Sequence, residues 1–305
     1  MAVTAGRTAN RRPAAGSPVT GPAAAPPGPA PSADSGSQRP GEPASPGTRT
    51  GPVIVLACAY AGAARVVEAL AADPAVAATT GTGIIPLCGQ AAQTWQRLDG
   101  RAGPPLSQLA ASTLRALITA QVTMILAEAG KTRWCELAIG ATSAASSFLQ
   151  VFPGTAIVTV HRHSLDMIRA AVQASPWGLH LPRLAPYLSS YQGSTAAALA
   201  AYWADSTEQL LAFETANPRV TYRVRYEDAA ADPDRALASL RSCLGLTTGP
   251  HQGIIREPGT AGQPTPQTPS PAGTVVPAAI IPRPLLDRIS SLHAQLEYPA
   301  PEEES

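Results

Sequence analysis

The stretch that decides the fold is Pro52-Val-Ile-Val-Leu56, which runs into Ala57-Cys-Ala-Tyr-Ala-Gly62 and then into a segment over residues 63–72. The first part is a short apolar run of the kind that forms a strand buried on both faces. In the last part, Val66 and Leu70 lie one helical turn apart, which predicts an amphipathic helix. The ordered part of the chain therefore begins with a strand, a turn and a helix.

The same alternation recurs along the chain. Strands are predicted at residues 155–160 and 220–225. Helices are predicted over much of 84–99 and 106–129, and over 164–173 (with Ser164 as N-cap), 196–215, 235–246 and 285–296. Strands that alternate with helices form parallel sheets. The fold class is therefore α/β, with three layers: a central parallel sheet and helices on both faces.

In such folds, ligands bind at the carboxyl ends of the strands, where helix N-termini present free N–H groups. This rule singles out two places, residues 57–64 after the first strand and residues 161–164 after the second. The architecture indicates an anion or a nucleotide at these places, and it does not name a reaction.

Charge excludes one class of ligand. The 305 residues carry 22 basic and 21 acidic side chains, a net charge of +1. Residues 1–52 carry a net charge of +3, and the remaining residues carry a net charge of −2. Nucleic-acid binding needs a concentrated basic face, so we expect no nucleic-acid partner.

Three segments are expected to lie outside the folded core. Residues 1–52 contain eleven Pro and eight Gly, and no Ile, Leu, Phe, Tyr or Trp, which predicts a disordered tail. Residues 256–274 form a low-complexity insert with five Pro. Residues 299–305 form an acidic tail, so the ordered domain is expected over residues 53–298.

The cysteines and the apolar segments indicate a cytoplasmic protein. Cys58, Cys88, Cys135 and Cys243 are isolated and suggest neither a disulfide framework nor a metal site. No apolar region follows the first arginines, as it would in a secretory signal. Polar residues interrupt the apolar stretch 106–129, so no membrane span is expected.

In order along the chain, several motifs resemble those of bacterial sulfotransferases. They are residues 52–73, Pro86-Leu-Cys-Gly-Gln90, Arg133–Cys135, 152–178 with Ser175-Pro-Trp-Gly178, Tyr202-Trp203, Arg225-Tyr-Glu-Asp228 and Val276-Pro-Ala-Ala-Ile-Ile-Pro282. The resemblance implies a P-loop-like fold. It also implies transfer of a sulfonyl group from the co-substrate 3′-phosphoadenosine 5′-phosphosulfate to a hydroxyl or amine of a small-molecule or peptide acceptor.

The resemblance also implies which residues hold the nucleotide. They are Gly62, Ala63, Ala64 and Arg65 at the first turn, and Arg162, which matches the family's arginine for the 3′-phosphate. Four family positions differ. Tyr60 replaces the cation of the turn, Gly81 a glutamate base, Leu137 a lysine and Ala170 a serine. Alanines replace the hydroxyl residues of the turn, so the active site is degenerate and no catalytic residue is assigned.

Other residues have a structural interpretation beside the functional one. Arg162 could instead pair with Asp166, and His161 and His163 could be an H-x-H metal site, although no third ligand is evident. Residues 225–228 are expected to form a strand exit whose charges satisfy nearby backbone. Trp177 and Trp203 are expected to pack, and Cys58 to be buried and unreactive. Gly81-Thr-Gly83 lacks the third glycine and the preceding strand of a dinucleotide fingerprint.

Two functions stay open at this point. The first is an active sulfotransferase. The second is an inactive pseudo-sulfotransferase that acts as a nucleotide-binding or protein-partner module. The simultaneous loss of the cation, the hydroxyls and the base motivates the second.

Overall fold

The structure is a computed structural model, and it describes residues 50–100, 105–174, 182–247, 255–256 and 281–299. Several expectations lie outside these residues. They are the tail up to residue 49, the insert from residue 257 onward, the acidic tail beyond Pro299, Ser175-Pro-Trp-Gly178 with Trp177, and most of the motif at 276–282. The domain bounds stay predictions.

Six strands form one parallel sheet in the order β5-β4-β1-β3-β2-β6. Their bounds are β1 Val53–Ala57, β2 Val76–Thr80, β3 Arg133–Ile139, β4 Ala156–His161, β5 Thr221–Arg225 and β6 Ile255–Arg256. Ala57, at the end of β1, lies opposite Ile139 of β3 and Val160 of β4. The predicted α/β class with a parallel sheet is confirmed.

Helices surround the sheet. Their bounds are α1 Ala63–Ala71, α2 Ile84–Leu98, α3 Gln108–Ala129, α4 Thr142–Val151, α5 Ser164–Ala174, α6 Ala185–Ser190 after a 3-10 turn at Pro182–Leu184, α7 Thr195–Ala216, α8 Tyr226–Ala231, α9 Pro233–Leu244 and α10 Arg283–Gln295. Asp232 caps α9 by accepting a hydrogen bond from the Arg235 N–H at 3.0 Å, as a cap followed by Pro233 predicts.

The core has two layers because side chains alternate along β1. Val53 and Val55 belong to the layer that α1, α5 and α9 cover, whereas Ile54 and Leu56 belong to the layer under α2 and α4. All four side chains are at most 1% exposed. Helices on both faces of the sheet are therefore confirmed, and β1 is buried on both sides.

Periodicity does not predict β2, β3 or α4. β2 contains two alanines, which are poor strand formers, and α4 contains three serines and begins without a side-chain cap. Both elements form because the fold buries them. Ala77 and Ala78 of β2 are at most 3% exposed, and Phe148 of α4 is fully buried.

Residues 226–231 form helix α8 directly after β5, so the expected strand exit at residues 225–228 leads straight into a helix. The expectation that Ser164 caps its helix is wrong. Ser164 is the first residue of α5, and its hydroxyl is buried without a partner among the described residues, so Ser164 does not cap the helix. The side chains that cap α5 come from distant elements, as the site shows.

Helix α3 is more exposed than an ordinary core helix. Of its 22 residues only Ala110, Leu114 and Ile118 are buried, while Leu109 and Met124 are largely exposed. It is long and apolar enough to meet the length and composition of a membrane span, a test that core helices of soluble proteins also pass. Helix α3 packs against α2, α4, β2 and β3.

Candidate functional site

The β1–α1 turn, residues 58–62, leads from the centre of the sheet into α1. Tyr60 and Gly62 have φ angles of +63° and +75°, in the left-handed region that favours glycine. The first N–H groups of α1, such as those of Ala63 and Ala64, have no intrahelical partner because they lie at the helix start. No side-chain cap satisfies them either. Such a helix start favours negative charge and offers hydrogen bonds to an anion.

Arg162 lies over this turn. Its Nη1 donates a hydrogen bond to the Tyr60 carbonyl oxygen at 3.0 Å, and its Cζ lies 4.2 Å from the centre of the Tyr226 ring. Its Nε is buried without a hydrogen-bond partner among the described residues. A buried donor without a partner costs about 1–3 kcal/mol, which a bound ligand oxygen can recover. The alternative pairing with Asp166 is not observed, because Asp166 pairs with Arg169 at 2.6 Å.

The sequence places Tyr226 in the motif Arg225-Tyr-Glu-Asp228 but does not reveal its role in this site. Its ring lies so close to Gly62 that a Cβ added at that glycine would overlap ring atoms. The same ring supports the Arg162 guanidinium, so one buried tyrosine positions both the turn and the arginine. Nothing in the spacing of residues 225–228 indicates a contact with residues more than 160 positions earlier.

Helix α7 fixes the turn from another side. The Ala59 N–H donates to the Tyr202 hydroxyl at 2.9 Å, and the Trp203 Nε1–H donates to the Arg162 carbonyl oxygen at 2.9 Å. Trp203 is 1% exposed, so its expected packing role is confirmed. The hydroxyl of Tyr202 therefore accepts the hydrogen bond that the Ala59 N–H would otherwise donate to an anion.

Arg65 points to a different part of the structure. Its Nη2 is 3.5 Å from the Ala230 carbonyl oxygen at the end of α8. The structure thus brings four of the five expected nucleotide-binding residues to the turn: Gly62, Ala63, Ala64 and Arg162. It directs the side chain of the fifth, Arg65, toward α8.

The N-terminus of α5 is capped by side chains from other elements. The His163 N–H donates to Glu227 at 2.9 Å, and the Ser164 N–H donates to Nε2 of His293 at 3.3 Å. The second oxygen of Glu227 accepts a hydrogen bond from the Tyr298 hydroxyl at 2.8 Å. The expectation that charges of residues 225–228 satisfy nearby backbone is therefore confirmed for Glu227.

The segment after β2 holds no carboxylate of its own. Gly81 has a φ of +75° and follows β2 directly, so the expectation that no strand precedes Gly81-Thr-Gly83 is wrong. Glu136 of β3 reaches this segment and accepts hydrogen bonds from the N–H and the hydroxyl of Thr82 at 3.2 and 2.9 Å. Glu136 is 2% exposed. Through these hydrogen bonds its buried carboxylate links β3 to the β2–α2 turn.

His161 and His163 lie in different environments. Nε2 of His161 is 2.7 Å from Glu214, which the Thr159 hydroxyl and the Arg223 guanidinium also contact. Burial alone would raise the pKa of Glu214, but hydrogen bonds from His161 and Arg223 lower it to about 2. His163 instead lies against the ring of His293. The described residues contain no group of three or more side chains suited to a metal ion.

The cysteines are free in the structure. Cys58, beside the turn, is 3% exposed, and burial raises the pKa of its thiol to about 12, although the charge of Arg162 lowers it in part. A thiol with this pKa stays protonated at neutral pH. The expectation that Cys58 is buried is confirmed, and its low reactivity stays a prediction that the raised pKa supports.

Comparison with known proteins identifies the family. A family model described as "Sulfotransferase family" matches residues 52–250, more than half of the chain. The sulfotransferase domain from the curacin biosynthetic pathway superimposes with a TM-score of 0.53 at 14% identity, covering 84% of this chain and 100% of that one. The sulfotransferase domain from the Synechococcus PCC 7002 olefin synthase gives 0.53 at 15% identity, covering 83% and 97%. No curated protein sequence matches.

The contact between Gly62 and Tyr226 can be separated from backbone strain. Gly62 and Gly83 have nearly the same φ, +75° and +74°, but a Cβ at Gly83 would meet nothing within 4 Å. We expect Gly83→Ala to cost about 1–2 kcal/mol from the left-handed backbone alone. Gly62→Ala should cost about 1–3 kcal/mol more, because it overpacks the site. Urea unfolding of both full-length variants measures the difference, and equal losses would contradict the contact.

The environment of His293 predicts that the folded protein loses stability in mild acid. It is fully buried, its Nε2 accepts the Ser164 N–H, and its Nδ1 is 3.1 Å from the Pro299 carbonyl oxygen, which leaves the ring neutral. Burial, with the neighbouring His163, lowers the pKa of His293 to about 4. The unfolded chain therefore binds a proton below pH 6.5 that the folded chain binds only near pH 4.

Stability should consequently fall by about 2 kcal/mol as the pH drops from 7 to 5. Urea unfolding of the wild type at the two pH values measures this loss, to which the lowered pKa of His163 adds in the same direction. The matched variant His293→Gln cannot take up the proton. It should be less stable at pH 7 and should lose less between pH 7 and 5. An unchanged pH dependence would rule out His293 as its source.

Proposed function

We propose that this chain, which belongs to the sulfotransferase family, binds 3′-phosphoadenosine 5′-phosphosulfate at the β1–α1 turn and transfers its sulfonyl group to a hydroxyl or amine of a small-molecule or peptide acceptor. The observation that carries the proposal is Arg162. Its guanidinium is held over the turn by Tyr60 and Tyr226 while its buried Nε has no partner among the described residues. The free cysteines support a cytoplasmic location.

Sulfonyl transfer requires the protein to position the two substrates and to neutralise charge on the phosphate. The acceptor oxygen or nitrogen forms a bond to sulfur as the bond from sulfur to the bridging phosphate oxygen breaks, and the electron pair stays on the phosphate. The acceptor proton passes to solvent, and 3′,5′-adenosine bisphosphate leaves. The uncapped N-terminus of α1 would hold the 5′-phosphate and Arg162 the 3′-phosphate, since both groups favour anions.

A second candidate function is nucleotide binding without turnover, with the chain serving as a protein-partner module. Two observations favour it. The Ala59 N–H is already bonded to the Tyr202 hydroxyl, and the turn contains no serine, threonine, lysine or arginine. Removing one preorganised donor slows a reaction about 10²–10³-fold, so the loss of several removes most of the rate enhancement even though such losses are not additive.

Binding of the product nucleotide tests the shared part of both candidates. Calorimetric titration of the full chain with 3′,5′-adenosine bisphosphate should give a micromolar dissociation constant, about −8 kcal/mol. Arg162→Ala should weaken binding at least tenfold, because it removes a charge-assisted contact to phosphate. Arg97→Ala is the control, since Arg97 is exposed and, among the described residues, its side chain bonds within α2. No heat up to millimolar nucleotide would refute both candidates.

Turnover separates the two candidates. With labelled 3′-phosphoadenosine 5′-phosphosulfate and a phenol, the proposed enzyme should form sulfated phenol above the rate without protein. Tyr60→Arg, Ala61→Ser and Ala63→Thr together should raise that rate at least tenfold by restoring the donors of the turn. Gly81 is left unchanged because a side chain at its φ of +75° is strained. If nucleotide binds but neither protein transfers sulfate, the chain is a binding module.

A further inference from the structure

A second arginine lies at the carboxyl edge of the sheet, beside the β1–α1 turn. Arg183 belongs to the 3-10 turn Pro182–Leu184, and its Nη1 donates a hydrogen bond to the carbonyl oxygen of Ile139. Ile139 is the last residue of β3 and lies opposite Ala57, the last residue of β1. The guanidinium is therefore held one strand away from the residue that precedes the turn.

Gly140 makes room for this guanidinium. It has a φ of +58°, and a Cβ there would overlap Nη1 of Arg183. Its own N–H donates to the Ala57 carbonyl oxygen at 2.9 Å, which joins the end of β3 to the end of β1. Any side chain at Gly140 would therefore displace Arg183 from its position beside the turn.

The electrostatics place Arg183 within reach of the turn. Its charge lowers the pKa of the Tyr202 hydroxyl in part, although burial, the largest influence, raises that pKa to about 12. The same hydroxyl accepts the Ala59 N–H of the turn. Arg183 is exposed to solvent, so its charge remains open to a ligand.

Several arginines of the described residues are neutralised by carboxylates, such as Arg223 by Glu214 and Arg288 by Asp205 and Glu208. Among the residues that the structure describes, neither Arg162 nor Arg183 forms an ion pair. Two cations without carboxylate partners thus flank a helix start that itself favours anions.

We infer that Arg183 is a binding and catalytic residue that contacts the 5′-phosphosulfate, supplying the positive charge that Tyr60 does not provide in the turn. Arg162 holds the 3′-phosphate and Arg183 the opposite end of the nucleotide. During transfer the bond from sulfur to the bridging oxygen breaks, and Arg183 neutralises the charge left on that phosphate oxygen. This inference rests on the proposed function and adds a residue to it.

Two nucleotides that differ only in the 3′-phosphate distinguish the arginines. The full chain is titrated with adenosine 5′-monophosphate and with 3′,5′-adenosine bisphosphate. Arg183→Gln, which keeps an N–H donor near Ile139, should weaken both nucleotides at least tenfold. Arg162→Ala should weaken the bisphosphate and leave the monophosphate within about twofold. Arg183→Lys should recover part of the loss because it keeps the charge, and Arg97→Ala should change neither.

The outcomes separate this inference from the proposed function. If Arg162→Ala weakens the bisphosphate while Arg183→Gln binds both nucleotides like the wild type, Arg183 has no role in binding and the proposed function stands. If the wild type binds neither nucleotide, the proposed function fails and the inference fails with it. Thermal unfolding of each variant confirms that it is folded, and a drop in affinity at an unchanged melting temperature identifies a lost contact.

Discussion

The whole candidate site depends on the pairing of β1 with β4. The chain leaves β1 toward β2 on one side of the sheet, and β4 later pairs with β1 on the other side. The strand order therefore reverses between these two strands, which is where ligands bind in open α/β sheets. The register sets Ala57 opposite Val160, so the β1–α1 turn and Arg162 both follow strand ends at the same edge of the sheet. Their hydrogen bond through Tyr60 follows from that register.

Neighbouring side chains already occupy part of this edge. Glu227 and His293 satisfy the first N–H groups of α5, and Tyr202 satisfies that of Ala59. Buried N–H groups need such partners, since each group left without one costs about 1–3 kcal/mol. The N–H groups at the start of α1 have no side-chain cap. Side chains of the protein itself therefore satisfy the start of α5, whereas no side-chain cap satisfies the start of α1.

The sequence predicts the sheet and its helices wherever the apolar periodicity is strong, as in β1, α1 and β4. It fails at β2, β3 and α4. In β2 and α4, alanine and serine carry little local preference, and tertiary burial decides the structure. The site residues within one turn, such as Gly62, could be located from the strand–turn–helix pattern. Tyr226 and Arg183 could not, because only the folded chain brings residues from α8 and the 3-10 turn against Gly62 and Gly140.

The proposed anion binding at the turn does not depend on the side chains of the turn. The left-handed backbone at Gly62 and the N–H groups of α1 are main-chain properties, so alanines at Ala61, Ala63 and Ala64 leave them intact. Positive charge can come from other elements, because Coulomb attraction depends on distance and not on which segment carries the cation. Affinity for the nucleotide and the rate of sulfonyl transfer can therefore diverge in this fold. In the proposed site, binding rests on the backbone and the flanking arginines, whereas the rate depends on each group that meets the charge developing in the transition state.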